Sequence, residues 1–382
     1  MRIAIFTDTY TPEINGVART LDKFTTYLTR NRITFQVFAP ESSSSIPTLP
    51  QIQRFTSLPF FLYPECRITI PNPIQMKLIL DQFKPSLIHV ATPFNLGLYG
   101  THYGRKLNIP TVASYHTHFD AYLQYYHLLF LQKWIWRYMR WFHQSCKKVY
   151  VPSQSTKEKL VEHHIHHDIE IWGRGVDHTF FTPAKRSNRI REKYNIKEKN
   201  ILLYVGRIAP EKDIDVLFYA FHSLPESLKE NSHLLIVGDG PLLQELRERP
   251  HPQISFAHFV EGQELAEIYA SSDLFLFPSS TETFGNVVLE AMASGLPIIG
   301  AQAGGVQHLI THAENGFLCK PKDAQSFVEH TKIVLEYEQL RLVMAAEARE
   351  FALSQSWDEI FAKLISSYSQ VIEHSTQNLY SA

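Results

Sequence analysis

Two acids, two bases and two histidines stand at spacings that could do chemistry. Glu282 and Glu290 are separated by seven residues in TETFGNVVLEAMASG. Leu274 to Phe277 is an apolar run stopped by Pro278, the mark of a buried strand. The polar loop Ser279 to Thr283 carries Glu282; the helical pattern Asn286 to Ser294, closed by Gly295 and Pro297, carries Glu290. A loop and a helix N-terminus at the carboxyl edge of a parallel sheet favour an anion. An acid on each side suits a ligand with hydroxyls as well as phosphate. Arg207 and Lys212 follow another apolar run, Ile201 to Val205, five residues apart, so their charges can converge over the sheet edge. His116 and His118 follow the run Thr111 to Tyr115. Two histidines at i, i+2 suit a metal, but no third ligand has suitable spacing. Taken alone, each set also reads as exposed acids, exposed loop bases or ordinary histidines.

Positioning these groups takes two sheets. The first series of strand candidates is Ile3 to Phe6, Phe35 to Ala39, Leu87 to Ala91, Thr111 to Tyr115, Val149 to Pro152 and Ile169 to Trp172. Helical patterns lie between them at Val17 to Arg30, Ile74 to Phe83 and Leu98 to Leu107. Ser155 followed by Glu158 reads as a capping box for a helix Thr156 to His163. Asp177 to Asn200 is charged and poor in apolar residues, which suits a linker with one short helix. A second series follows: Ile201 to Val205, Leu234 to Val237, Ile254 to Ala257, Leu274 to Phe277 and Pro297 to Gly300. The chain is mostly helical after Lys322, and its last helix is expected at Trp357 to Ile372. Strand–helix alternation predicts parallel sheets covered on both faces, hence two α/β domains in tandem with a cleft between them.

The length of 382 residues and 44% hydrophobic content are enough for two full cores. A formal net charge of -1 argues against a nucleic-acid binder. Cys66, Cys146 and Cys319 are scattered and outside any CxxC spacing, so neither a disulfide framework nor a zinc site is expected. The N-terminus lacks a signal-peptide pattern, and no apolar run reaches the ~18–20 residues of a membrane span. A cytoplasmic protein is expected, free or peripheral on the inner face of a membrane.

The string ETFGNVVLEAMASGLPIIG resembles the signature of retaining, α-linking glycosyltransferases of the GT-B class (group 1), with its two glutamates, glycines and proline. The resemblance implies an α/β fold of two Rossmann-like doubly wound domains facing a cleft. They are expected at 1–178 (acceptor side) and 179–355 (nucleotide-sugar binding), with a helix at 356–382 crossing back to the N-terminal domain. It implies Glu282 at the donor sugar, Glu290 on the ribose hydroxyls, and backbone groups of Phe284, Gly285, Asn286 and Val287 at the sugar and diphosphate. LLYVGRIAPEKDIDVL resembles the family's VGR…EK segment, in which Arg207 and Lys212 would hold the diphosphate. PEINGVARTL resembles the family's N-terminal loop, where Gly16 would let backbone approach the donor phosphate; Asn15-Gly16-Val17 stands where a Gly-Gly pair is common. His116 matches the family's histidine near the reacting carbon, completing an expected catalytic set of Glu282, His116, Arg207 and Lys212. Gly238, in GDGP, and Val260 would border the nucleotide, without telling uracil from guanine. No cofactor and no metal is implied, the donor being a nucleotide-diphosphate sugar. Asp213 and Asp215 form an Asp-x-Asp, read here as helix-start acids rather than a metal site.

On the acceptor side the expectation falls on Asp8, Tyr10 and His118, and on the stretch Tyr122 to Lys148 with Trp134, Trp136, Trp141, Arg137 and Arg140. This stretch reads either as a core helix whose bases snorkel outward or as an aromatic and basic face for an anionic membrane. SYHTHF, this helix and IWGRGVD resemble the family's lipid-directed branch of α-mannosyl-, sulfoquinovosyl- and glucosyltransferases acting on diacylglycerol-type acceptors. The function implied is hexose transfer from GDP-mannose or a UDP-sugar to a glycolipid or diacylglycerol-type hydroxyl. The alternatives are a non-hydrolysing UDP-sugar epimerase and a catalytically silent nucleotide-binding or membrane scaffold. A dehydrogenase is disfavoured because no GxGxxG follows the first strand. The histidines at 163, 164, 166 and 167 read as a solvated helix terminus.

Overall fold

Period-two burial along the first strand sets the pattern of one unit. In β1 (Arg2–Phe6), Ile3 and Ile5 enter one apolar cluster while Ala4 and Phe6 enter another, so both faces are covered. The computed structural model describes residues 1–13, 15–41, 49–59, 67–116, 129–248 and 251–380. They fall into two compact units, 1–173 with 357–380 and 174–356.

In the first unit β1 is followed by β2 (Thr34–Pro40), β3 (Ile52–Phe55), β4 (Ser57–Pro59), β5 (Arg67–Thr69), β6 (Leu87–Val90), β7 (Thr111–Ser114), β8 (Lys148–Val151) and β9 (Ile169–Ile171). Seven of these form a parallel sheet in the order β3-β2-β1-β6-β7-β8-β9, and β4 and β5 pair antiparallel beside it. The helix Gly16–Arg30 and the long C-terminal helix Trp357–Tyr380 cover one face, through Phe24, Phe361 and Tyr368. The helices Pro73–Phe83, Asn95–Lys106, Gln132–Gln144 and Gln154–Glu162 supply the other, through Met76, Leu80, Leu96, Trp136, Phe142 and Leu160.

The second unit holds β10 (Asn200–Val205), β11 (Ser232–Val237), β12 (Ile254–Ala257), β13 (Leu274–Phe277), β14 (Ile298–Ala301) and β15 (Gly316–Cys319), all parallel, in the order β12-β11-β10-β13-β14-β15. Both sheets run outward from a central first strand and then resume on its other side. Each therefore has a topological switch point, between β1 and β6 and between β10 and β13, where loops diverge and leave room for a ligand.

The differences from expectation are local. Strands β3 (IQRF) and β15 (GFLC) are four-residue edge strands absent from the expected series; β3 is mixed in composition, and the apolar part of β15 is only three residues long. Ser153, not Ser155, caps its helix by accepting from the Thr156 N–H at 3.4 Å. The segment expected as a linker is built into the second unit. Its helix Asn188–Tyr194 buries Ile190, and Ile196 follows into the same core. Arg189 and Lys193 pair with Glu267 and Glu264 of the helix Gly262–Ser271. The last helix continues past Ile372 to Tyr380.

Candidate active site

The carboxyl ends of β10 and β13 face each other across the second unit's switch point, and their loops are joined side chain by side chain. The β10 loop makes a tight turn, Pro210–Lys212, ending on Asp213 in the left-handed region at φ 52. Thr281 Oγ1 donates to the Glu211 carbonyl at 3.0 Å. Lys212 Nζ lies 2.5 Å from Glu282 Oε1. Asp213 Oδ2 accepts from both the N–H (3.1 Å) and the Oγ (2.6 Å) of Ser280. Arg207 pairs with Glu211 at 3.6 Å, and its carbonyl accepts from the buried Tyr204 hydroxyl at 3.0 Å. Burial beside Glu282, Glu211 and Asp213 holds that hydroxyl well above its ordinary pKa, so it stays a donor.

The β14 loop closes the third side. Gly305 N donates to the Glu282 carbonyl at 2.8 Å, and a Cβ on Gly304 (φ 54) would sit 2.2 Å from that oxygen. Only glycine fits there. Glu290 receives the Tyr269 hydroxyl at 3.1 Å. Gly285, at φ 100, precedes the helix Asn286–Ala293 and brings no side-chain cap, so the helix N-terminus keeps its positive end open to an anion. The Asn286 Oδ1 is buried without a hydrogen-bond partner among the described residues. Phe284 and Val287 are half-buried beside it.

The β10 and β11 turns touch backbone to backbone. Gly238, at φ 137, lies where a Cβ would meet the Gly206 carbonyl at 2.0 Å. Beyond it, Asp239 accepts from the Phe259 N–H at 2.8 Å and pairs with His258 at 2.9 Å, setting the segment that carries half-buried Val260. Asp213 is thus occupied by Ser280, with Lys322 4.0 Å away, and Asp215 is exposed in the first turn of the helix Ile214–His222.

In the first unit Gly16 is exposed at the start of its helix. Asn15 caps that helix by accepting from Val17 (3.1 Å) and Ala18 (2.9 Å). Asp8 and Tyr10 differ from the expectation of a cleft-facing placement, because both point inward. Asp8 is wholly buried, accepting from Thr92 Oγ1 (2.7 Å) and the Leu96 N–H (2.9 Å), which ties the β1 loop to the β6 loop. Burial raises its carboxyl to about 6 against those hydrogen bonds. The Tyr10 hydroxyl bonds Thr25 Oγ1 at 2.7 Å, and the Arg54 guanidinium lies 5.4 Å from its ring. His116 is half-buried just past β7, its ring 5.5 Å from Trp172. His118 lies outside the described residues.

The described part of the aromatic stretch, the helix Gln132–Gln144, divides by face. Trp136 is buried, stacked 3.8 Å from His163, and Arg140 donates to the His163 and His164 carbonyls at 2.8 and 3.2 Å. Trp134 and Trp141 are 66% and 55% exposed, with Arg137 5.9 Å from the Trp134 ring. The histidine cluster is less solvated than expected, because Trp136 and the Cys146 carbonyl (3.0 Å from His166) draw two of its rings into the unit.

The second unit therefore offers two cations, two carboxylates and an uncapped helix N-terminus on one sheet edge. Sequence reasoning had no signal for the groups that hold them, Glu211, Tyr269 and Gly304. Asp213 was visible only as an acid at a helix start.

Two family models match the chain: Glycosyltransferase Family 4 over residues 14–180 and Glycosyl transferases group 1 over residues 186–351. The GDP-mannose-dependent alpha-mannosyltransferase of Corynebacterium glutamicum is 33% identical over 381 residues, covering 97% of this chain and 89% of its own length. The alpha-monoglucosyldiacylglycerol synthase of Streptococcus pneumoniae is 30% identical over 78% of this chain and 70% of its own. Among solved structures, sucrose-phosphate synthase from Thermosynechococcus elongatus aligns with a TM-score of 0.80 over 98% of this chain and 100% of its own, at 19% identity.

Proposed function

This chain belongs to the group 1 glycosyltransferases, and from that premise we propose that it transfers a hexose from a nucleotide-diphosphate sugar to a hydroxyl of a glycolipid or diacylglycerol-type acceptor, with retention at the anomeric carbon. The observation that carries the donor half is the Lys212–Glu282 pair, 2.5 Å apart where the β10 and β13 loops meet. Arg207 and Lys212 take the diphosphate, Glu282 the sugar hydroxyls, Glu290 the ribose, and the N-terminus of the helix Asn286–Ala293 the remaining phosphate charge. Gly16 and His116 are proposed as donor contacts contributed by the first unit. GDP-mannose and UDP-hexoses are the donors to test.

The reaction breaks the bond between C1 and the diphosphate oxygen and forms the bond from C1 to the acceptor oxygen on the same face. The acceptor proton passes to the departing diphosphate. Charge grows on that diphosphate as the bond breaks, and fixed cations stabilise it most in the transition state. Arg207 and Lys212 supply that charge, so transfer without a metal is part of the proposal. A lipid acceptor is supported by exposed Phe130, Trp134 and Trp141 beside basic residues, and by the diacylglycerol in the name of one relative. No helix among the described residues is long and apolar enough to cross a membrane. The relatives are named a mannosyltransferase and a monoglucosyldiacylglycerol synthase, which does not favour the epimerase alternative.

The test is radiolabel transfer from GDP-mannose and a panel of UDP-hexoses into a lipid extract, with excess EDTA in a parallel reaction. Labelled lipid is expected from one donor, with the rate unchanged by EDTA. No label in lipid from any donor would sink the proposal.

A further inference from the structure

Three consecutive residues of the β10 turn, Glu211, Lys212 and Asp213, each grip one residue of the β13 loop: Thr281, Glu282 and Ser280. The middle rung is the pair assigned above to the diphosphate and the sugar. The outer rungs bind loop to loop and are given no part of the donor in that assignment. We infer that Asp213 is a positioning residue, whose double hydrogen bond to Ser280 fixes the distance between the diphosphate cation Lys212 and the sugar carboxylate Glu282. This rests on the transferase reading and adds to it a residue that sets the geometry of the reaction.

The chemistry favours Asp213 for this work. Its backbone is left-handed at φ 52, a conformation open to glycine, asparagine and aspartate. Its side chain is almost wholly buried, 8% exposed, so the bonds it makes are shielded from water. One oxygen takes both the N–H and the Oγ of Ser280, which fixes that residue's backbone and side chain together two positions before Glu282. From the far side Gly305 N holds the Glu282 carbonyl at 2.8 Å. The Glu282 backbone is therefore clamped between Asp213 and Gly305, and Lys212 is adjacent in sequence to one jaw. Loosening that jaw lets the carboxylate and the cation drift apart while each still reaches its own part of the donor. Drift of that kind costs rate more than binding.

The variants separate backbone from side chain. Asp213→Gly keeps the left-handed turn and deletes the grip; Asp213→Asn keeps an acceptor oxygen for Ser280; Ser280→Ala removes the hydroxyl and leaves the N–H. Asp213→Gly should lower kcat by about ten- to a hundredfold while nucleoside-diphosphate affinity stays within about twofold. Asp213→Asn should recover most of the rate. Ser280→Ala, which keeps the N–H bond, should lose less rate than Asp213→Gly, and the double variant should be little worse than Asp213→Gly, which already lacks both bonds. Amide hydrogen exchange across 279–283 should speed up in Asp213→Gly. The assignment is overturned by normal turnover in Asp213→Gly, by a rate loss matched by equal loss of nucleoside-diphosphate affinity, or by an Asp213→Asn variant as slow as Asp213→Gly. If the unaltered enzyme transfers no sugar from any donor, the transferase reading fails instead. The exchange rate across 279–283 then decides on the grip alone, unchanged exchange overturning it.

Discussion

At the residue scale, the site is a set of charges whose neighbours decide their use. Lys212 pairs with Glu282, and under the proposed function the donor diphosphate competes for its charge. Lys212→Ala is therefore expected to cut kcat by about a hundredfold or more with a smaller change in donor KM, as steady-state kinetics will read. A near-normal rate would remove Lys212 from the diphosphate. Tyr269 is a quieter case. Its hydroxyl orients Glu290 at 3.1 Å, and Tyr269→Phe should cost about 1 kcal/mol of that hydrogen bond, or roughly fivefold in nucleotide Kd by calorimetry. An unchanged Kd would show that Glu290 is held by other means. The placement of Arg207, Lys212, Glu282 and Glu290 on one edge was legible, because strand–loop–helix order delivers loop residues to the carboxyl ends of parallel strands. Asp213 and Tyr269 were not. Asp213 meets Ser280 across 67 residues of chain, and no local pattern encodes such a meeting.

At the element scale, loops are fixed by glycines and strands by what their buried faces will tolerate. Gly304→Ala places a methyl group against the Glu282 carbonyl, so the β13 loop must move. Turnover should fall at least tenfold in that variant while Gln302→Ala, at an exposed position of the same turn, is harmless; equal activity would mean the loop yields cheaply. In the first unit, His89 of β6 lies between Ser114 Oγ (2.9 Å) and the Tyr368 hydroxyl (2.8 Å) of the C-terminal helix. Burial pushes His89 down to about 3 and His143 down to about 4. The unfolded chain binds these protons near pH 6.5 and the folded unit does not. Each group therefore removes stability as pH falls below 6.5, by up to about 1.4 kcal/mol per pH unit. Asp8 has the opposite sign: raised to about 6, it takes up its proton in the folded state first and adds stability as pH falls from 6 towards 4. The two histidines outweigh it. Melting temperature should drop between pH 7 and 4.5, and His89→Gln should flatten that slope even if it lowers the starting value. A slope unchanged in His89→Gln would mean that His89 is charged in the folded unit. Central strands were legible as apolar runs, since burial on both faces demands them. Edge strand β3, covered less completely, leaves no such run, and that of β15 is only three residues, Phe317 to Cys319.

At the scale of the whole molecule, the same sheet order serves twice, and the switch point between β10 and β13 joins Lys212 to Glu282. At the other, Asp8, Thr92 and the start of the helix Asn95–Lys106 are bonded to one another. Trp134 and Trp141, exposed beside Arg137, leave a membrane face as a whole-molecule property to measure. Replacing both with alanine should reduce sedimentation with anionic liposomes while leaving neutral liposomes and nucleotide affinity unaffected; no reduction would assign these rings to another role. The C-terminal helix carries a further consequence. Its Phe361, Leu364, Tyr368 and Val371 complete the apolar cluster that begins with Ile3 and Ile5. A ribosome making this chain releases residues 1–173 with one sheet face covered only in part, by the helix Gly16–Arg30, and then makes residues 174–356, a unit continuous in sequence. The second unit can fold as it emerges, while the first is completed by the helix Trp357–Tyr380, made after it. The unit begun before the other is completed after it, and during translation its partly open face is the surface a chaperone would meet.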